Sequence, residues 1–201
     1  MTDNDLILNS DVGVADDISS FGALDSGAEN DIDSLADFVE YTDEDVSFMR
    51  RAMELAMVAE SIDEVPVGAV AVRDGRIIAE AYNTRETEKC ATHHAEILAI
   101  ERACLALGGW RLPGVTLYVT MEPCAMCAGA IINARIPRVV FGAPDLRFGA
   151  FGSLIDLSSV PLNHSPEIVG GVLKDENVAI LQSYFKRKRI EKAKEKMQND
   201  N

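Results

Sequence analysis

Residues 115–142 read VTLYVTMEPCAMCAGAIINARIPRVVFG, and the reading of this stretch decides the fold. Val115, Leu117 and Val119 alternate with Thr116, Tyr118 and Thr120, the period-two pattern of a strand. From about Cys124 to Ala134 small and apolar residues run without that alternation, which predicts a helix, and Arg138 to Gly142 predicts another strand. Working outward, Val67 to Val72 and Arg76 to Tyr82 flank Asp74-Gly75, a tight-turn pair, so they should form an antiparallel hairpin. Ile97, Ile100, Cys104 and Leu107 recur at helical spacing until Gly108-Gly109 ends the pattern, placing a helix start near His94. Thr42 and Asp45 approximate a capping box ahead of a first helix that runs to about Ser61, and Lys174 to about Lys196 predicts a terminal helix with a basic end. Helix, hairpin, helix, strand, helix, strand is an α/β order: a mixed sheet, partly parallel, covered by helices.

The same stretch carries chemistry. Zinc favours four tetrahedral nitrogen or thiolate ligands, and a catalytic site fills three with protein and leaves one for water. His94, Cys124 and Cys127 make three, and Glu96 is an unligated carboxylate beside them. Water activated by such an ion must lose a proton, and a leaving amine must gain one, so the set suits hydrolytic removal of an amine with Glu96 as proton shuttle. His-x-Glu with a later Pro-Cys-x-x-Cys is the arrangement of zinc nucleobase deaminases. Cys124 and Cys127 lie three apart on one helix face, Pro123 suits the first turn, and the helix start favours thiolate. Two residues along a helix rotate a side chain by about 200°. His94 and Glu96 therefore require non-helical backbone at His94. Cys104 falls in an apolar stripe and reads as core. Cys90 and His93, in the loop that delivers His94, are rival fourth ligands that would close the site.

Charge divides the chain. Residues 1–45 hold 14 Asp and Glu and no Lys or Arg, so the remainder has 33 − 14 = 19 acids against 19 bases, and the formal charge of −14 sits at the N-terminal end. Residues 1–42 read as a disordered acidic extension, 43–190 as the folded domain and 191–201 as a basic tail or helix end. No basic start with an apolar run marks a signal peptide, and no stretch approaches the roughly 18 apolar residues of a membrane span, so a cytoplasmic protein is expected. Four cysteines, two of them in a metal-type pair, do not resemble a disulfide framework.

Longer runs resemble the bacterial tRNA-specific adenosine deaminases of the cytidine deaminase superfamily, over about residues 46 to 190. They are Glu64-Val65-Pro66-Val67-Gly68-Ala69-Val70, Ala95-Glu96, Thr116 through Cys124, Cys127-Ala128-Gly129-Ala130 and Arg138 through Ala143. The resemblance implies a three-layer α/β/α domain on a mixed sheet of about five strands, with one zinc per subunit and a homodimer. It also implies hydrolysis of adenosine to inosine at the wobble position (34) of a tRNA, an arginine tRNA by expectation, with the anticodon loop as partner. Asn83, Asp145, Asn163 and Phe185 fall where the family contacts RNA. Their plainer readings are a turn residue for Asn83, a turn or cap for Asp145 and core for Phe185. The His93-His94 pair departs from the family's usual Ala before the zinc His, and the acidic extension is an addition. Any RNA affinity must come from local basic patches such as Lys186 to Lys196, and the extension either competes for them or is an inert solvated tail. The zinc motif alone leaves two alternatives: a deaminase of a free nucleobase or nucleoside, such as guanine or cytosine, or a non-catalytic RNA-binding subunit.

Overall fold

The structure, a computed structural model, describes residues 41–199. The elements are α1 Asp43–Ser61, β1 Gly68–Arg73, β2 Arg76–Tyr82, α2 Ala95–Leu107, β3 Val115–Met121, α3 Ala125–Asn133, β4 Arg138–Ala143, β5 Glu167–Val169 and α4 Lys174–Asn199. The sheet order is β2-β1-β3-β4-β5. β1 is antiparallel to both β2 and β3, whereas β4 is parallel to β3 and β5 is parallel to β4. This is the expected mixed α/β/α sandwich. β5 is the one strand that pattern alone had not placed: three residues at a sheet edge carry too little periodicity to read.

Strand alternation divides the core in two. Ala69, Ala71, Leu117, Val119, Val139 and Phe141 face α2 and α3. Their neighbours Val70, Val72, Tyr118 and Val140 pack with Met49, Ala52 and Leu55 of α1 and with Val172 at the entry to α4. Such two-sided burial is what a covered sheet requires. Asp74 and Gly75 both have positive φ, 51° and 69°, as a type I′ hairpin turn demands. Gly68 allows α1 to lie directly on β1, since a Cβ there would fall 2.1 Å from the Ala52 carbonyl oxygen.

The capping box at Thr42 and Asp45 is formed. The acidic extension lies outside the described residues except for Tyr41 and Thr42, and Thr42 is the N-cap of α1 rather than part of an appendage. α4 continues unbroken past residue 190, so residues 191–199 are the end of that helix. Among the described residues no helix is long and apolar enough to cross a membrane.

Candidate active site

Two helix N-termini meet at the C-terminal end of β3. His94 is the N-cap of α2 with extended backbone (φ −75°, ψ 153°), and Glu96 stands in the first turn. The non-helical conformation required at His94 is therefore present. Cys124 is the N-cap of α3, also extended (φ −71°, ψ 171°), and Cys127 follows in the first turn. Pro123 thus precedes the cap instead of opening the helix.

His94 Nδ1 lies 3.8 Å from Cys124 Sγ and 3.6 Å from Cys127 Sγ. All three donor atoms fall within 4.8 Å of one another. Tetrahedral zinc with Zn–S of about 2.3 Å and Zn–N of about 2.0 Å separates neighbouring donors by roughly 3.5–3.8 Å. The donor set fits that ion and, among the described residues, leaves one coordination position without a protein ligand. Cys90 and His93 stand outside the group: the Cys90 thiol contacts the Thr92 hydroxyl, and His93 Nδ1 lies 2.7 Å from Glu88 Oε2. Cys104 packs against the core, as read from its stripe.

The two cysteines of the donor set are pushed in opposite directions, and Cys124 is the one drawn toward thiolate. The Cys124 thiol is drawn down to about 4, chiefly by a hydrogen bond with Cys127 and, against the cost of burial, by His94. Cys127 is pushed up by that same hydrogen bond, by burial and by the charge of Glu96. Burial also lifts the Glu96 carboxyl above the ordinary range, with the Cys127 thiol hydrogen-bonded to it. His94 is raised, first by its contact with Cys124. An acid raised by burial and sited beside the ligands is suited to accepting and returning a proton.

Two buried carboxylates that sequence reasoning had not singled out hold the loops around this centre. Glu64 accepts from the Asn83 side-chain amide (3.1 Å) and the Thr87 N–H, fixing the loop that leads to His94. Glu122, immediately before Pro123-Cys124, accepts from the N–H groups of Asp145, Phe151 and Ser153, each at 3.0 Å. Cys124 forms a β-bridge with Gly149, and the Ala150 N–H donates to the Pro123 carbonyl (2.9 Å). A carboxylate flanking a ligand in an otherwise apolar run was the available signal.

The expected RNA contacts are placed unevenly. Asn83 is buried against Glu64, with the Thr84 N–H donating to the His93 carbonyl next to His94. Asp145 lies in the loop bridged to Cys124, its Oδ1 accepting from the Arg147 and Phe148 N–H groups, a turn-cap role. Asn163 accepts from Arg135 beyond the C-terminus of α3, roughly 15 Å along the helix from the cysteine pair. Phe185 meets Tyr184 edge-on (ring centroids 5.3 Å apart) on α4, the helix that packs against β4 at Gly142 through Asn177 and pairs with α1 through Arg50–Glu176 and Glu60–Arg187.

A three-donor centre with an adjacent buried carboxylate, at paired helix N-termini on this sheet, defines the chain as a deaminase with the cytidine deaminase fold. Residues 43–189 match the MafB19-like deaminase family. A tRNA-specific adenosine deaminase of Bacillus subtilis is 49% identical over 150 residues, covering 74% of this chain and 93% of that protein. One from Haemophilus influenzae is 46% identical over 154 residues, covering 76% and 89%. A solved structure described in a study of A-to-I editing by tRNA deaminases at the wobble position is 47% identical, with a TM-score of 0.66 over 67% of this chain and 99% of its own. A guanine deaminase from Nitrosomonas europaea is 25% identical, with a TM-score of 0.60 over 73% and 86%. The chain belongs to the bacterial tRNA-specific adenosine deaminase family of the cytidine deaminase superfamily.

Proposed function

We propose that this protein hydrolyses adenosine to inosine at the wobble position of a tRNA, arginine tRNA being the first candidate. The observation that carries the reading is agreement along almost the whole length of relatives named tRNA-specific adenosine deaminase. His94, Cys124 and Cys127, whose donor atoms lie within 4.8 Å of one another, would hold one zinc per subunit. When bound, the ion supplies a Lewis acid that makes water a nucleophile near neutral pH. Glu96 takes a proton from the attacking water and returns it to the departing amine, so a C–O bond forms at C6, the C–N bond breaks and ammonia leaves. The helix N-termini at His94 and Cys124 favour the anionic ligands. Asn83, Asp145, Asn163 and Phe185 are the proposed RNA contacts, residues 43–190 the catalytic domain, and a cytoplasmic homodimer the working form, with the anticodon loop as its partner.

The similarity to a guanine deaminase supports a second reading, deamination of a free nucleobase by the same centre. One assay separates the two. The zinc-loaded protein is incubated with an arginine tRNA bearing adenosine at the wobble position and, in parallel, with free bases and nucleosides. Inosine in the tRNA alone supports the first reading. Ammonia from a free base with intact tRNA establishes the second.

A further inference from the structure

Phe148 sits beside the candidate centre and is 58% exposed. Its backbone is fixed on both sides. The Phe148 N–H donates to Asp145 Oδ1 (3.2 Å), and the next residue, Gly149, bridges to Cys124. Paired residues on antiparallel strands have Cα atoms about 5 Å apart and consecutive Cα atoms about 3.8 Å, so the Phe148 backbone is within roughly 9 Å of that of Cys124. Glu122 clamps the loop from beneath: a Cβ on Gly149 would lie 2.4 Å from its carboxyl group, so the chain here is packed directly against that buried side chain. The Arg147 guanidinium lies 5.3 Å from the Phe148 ring centroid. A large ring left in water on a backbone already held by hydrogen bonds, next to a reactive centre, needs little further backbone ordering when a ligand meets it.

We propose that Phe148, with Arg147, is a base-stacking platform that receives an unpaired base next to the reacting nucleotide. Single-stranded RNA is held by bases stacked on aromatic rings and arginine planes, with cation attraction to the backbone, and both components are supplied here by consecutive residues. Glu122 acts through this loop as a positioning residue. The platform deepens the RNA reading above and rests on it.

The test uses the zinc-loaded full chain and an anticodon-loop RNA hairpin carrying 2-aminopurine beside the target adenosine. The expected result for Phe148→Ala is a rise in hairpin Kd and KM of roughly 5- to 150-fold, the range for one lost base–aromatic stack, with kcat held within about threefold. The 2-aminopurine quenching expected with the native protein is lost in this variant. Phe148→Tyr keeps both quenching and affinity, whereas Phe148→Leu follows the alanine variant, because a flat ring and not mere apolarity is required. Native affinity and quenching in Phe148→Ala overturn the proposal while leaving the RNA reading intact. So does a change of oligomeric state in Phe148→Ala with unchanged RNA affinity, which would assign the ring to a protomer contact. A native protein that neither binds nor deaminates the hairpin, yet deaminates a free base, overturns the RNA reading and the platform with it.

Discussion

At the level of single residues, the ligand set and the carboxylate have separable jobs, and substitution should separate them. Glu96→Gln is expected to keep one zinc per chain and to lower kcat by roughly 10²–10⁴-fold, the range for a lost general acid–base. His94→Ala and Cys127→Ala are expected to lose the metal itself. Cys90→Ser and His93→Ala should retain it, since neither side chain joins the donor group. Zinc content by elemental analysis beside a deaminase assay checks all five variants, and metal loss in Cys90→Ser would mean that the centre is closed. His94, Glu96, Cys124 and Cys127 were legible because their spacing is itself the chemistry. Glu64 and Glu122 were not, because nothing in an isolated carboxylate announces which backbone N–H groups it will accept. Glu122→Gln turns one acceptor oxygen into a donor facing N–H groups, an unsatisfied burial that costs about 1–3 kcal/mol. Trypsin cleavage after Arg147, in the loop that Glu122 holds, should accelerate well before global unfolding; an unchanged cleavage rate would remove its positioning role.

Whole elements were read best where a local device marks their ends. The Asp74-Gly75 turn and the Thr42–Asp45 capping box are such devices, whereas β5 and the 144–166 connection depend on distant neighbours and left no pattern. Asp45 shows how a cap can also be a tertiary anchor. Besides closing the box with Thr42, it accepts from the Tyr118 hydroxyl (3.0 Å) and from Arg138 (2.6 and 3.1 Å), tying α1 to β3 and β4. Burial alone would raise its acid, but Arg138, Thr42 and Tyr118 outweigh it and bring the carboxyl from 3.8 down to about 2. A depressed folded value gives stability that is complete above the unfolded value and is lost as pH falls through the folded one. At about 1.4 kcal/mol per pH unit, the window between 3.8 and 2 is worth about 2 kcal/mol. Urea unfolding of the native protein and Asp45→Asn should therefore differ by about 2 kcal/mol more at pH 5 than at pH 2. A pH-independent difference would show that the anchoring does not depend on the ionised carboxylate.

Across the whole molecule, charge is distributed against the proposed substrate. Residues 1–40 carry 9 Asp and 2 Glu with no Lys or Arg, which leaves −14 + 11 = −3 for residues 41–201. Cationic side chains gather at the C-terminal end of α4, where Arg187 and Lys188 are already committed to Glu60, Asp63 and Glu191. Lys186, Arg189, Lys192 and Lys196 fall within one arc of about 120° on that helix at 100° per residue, a stripe suited to phosphates. α1 runs beside α4, paired through Arg50–Glu176 and Glu60–Arg187, so the acidic segment joins the fold at the same layer as the stripe. Forty residues can span at most about 130 Å, far more than the roughly 40 Å length of α4, so the carboxylates can compete with RNA for those cations. Replacing the eleven acids by Asn and Gln, at constant chain length, should strengthen RNA binding several-fold at about 0.05 M salt. At about 0.3 M salt, where the Debye length shortens to roughly 6 Å, the gain should nearly vanish. Filter-binding or fluorescence titration of both proteins at the two salt concentrations decides the matter, because equal affinities at low salt would show the acidic segment to be electrostatically inert towards RNA.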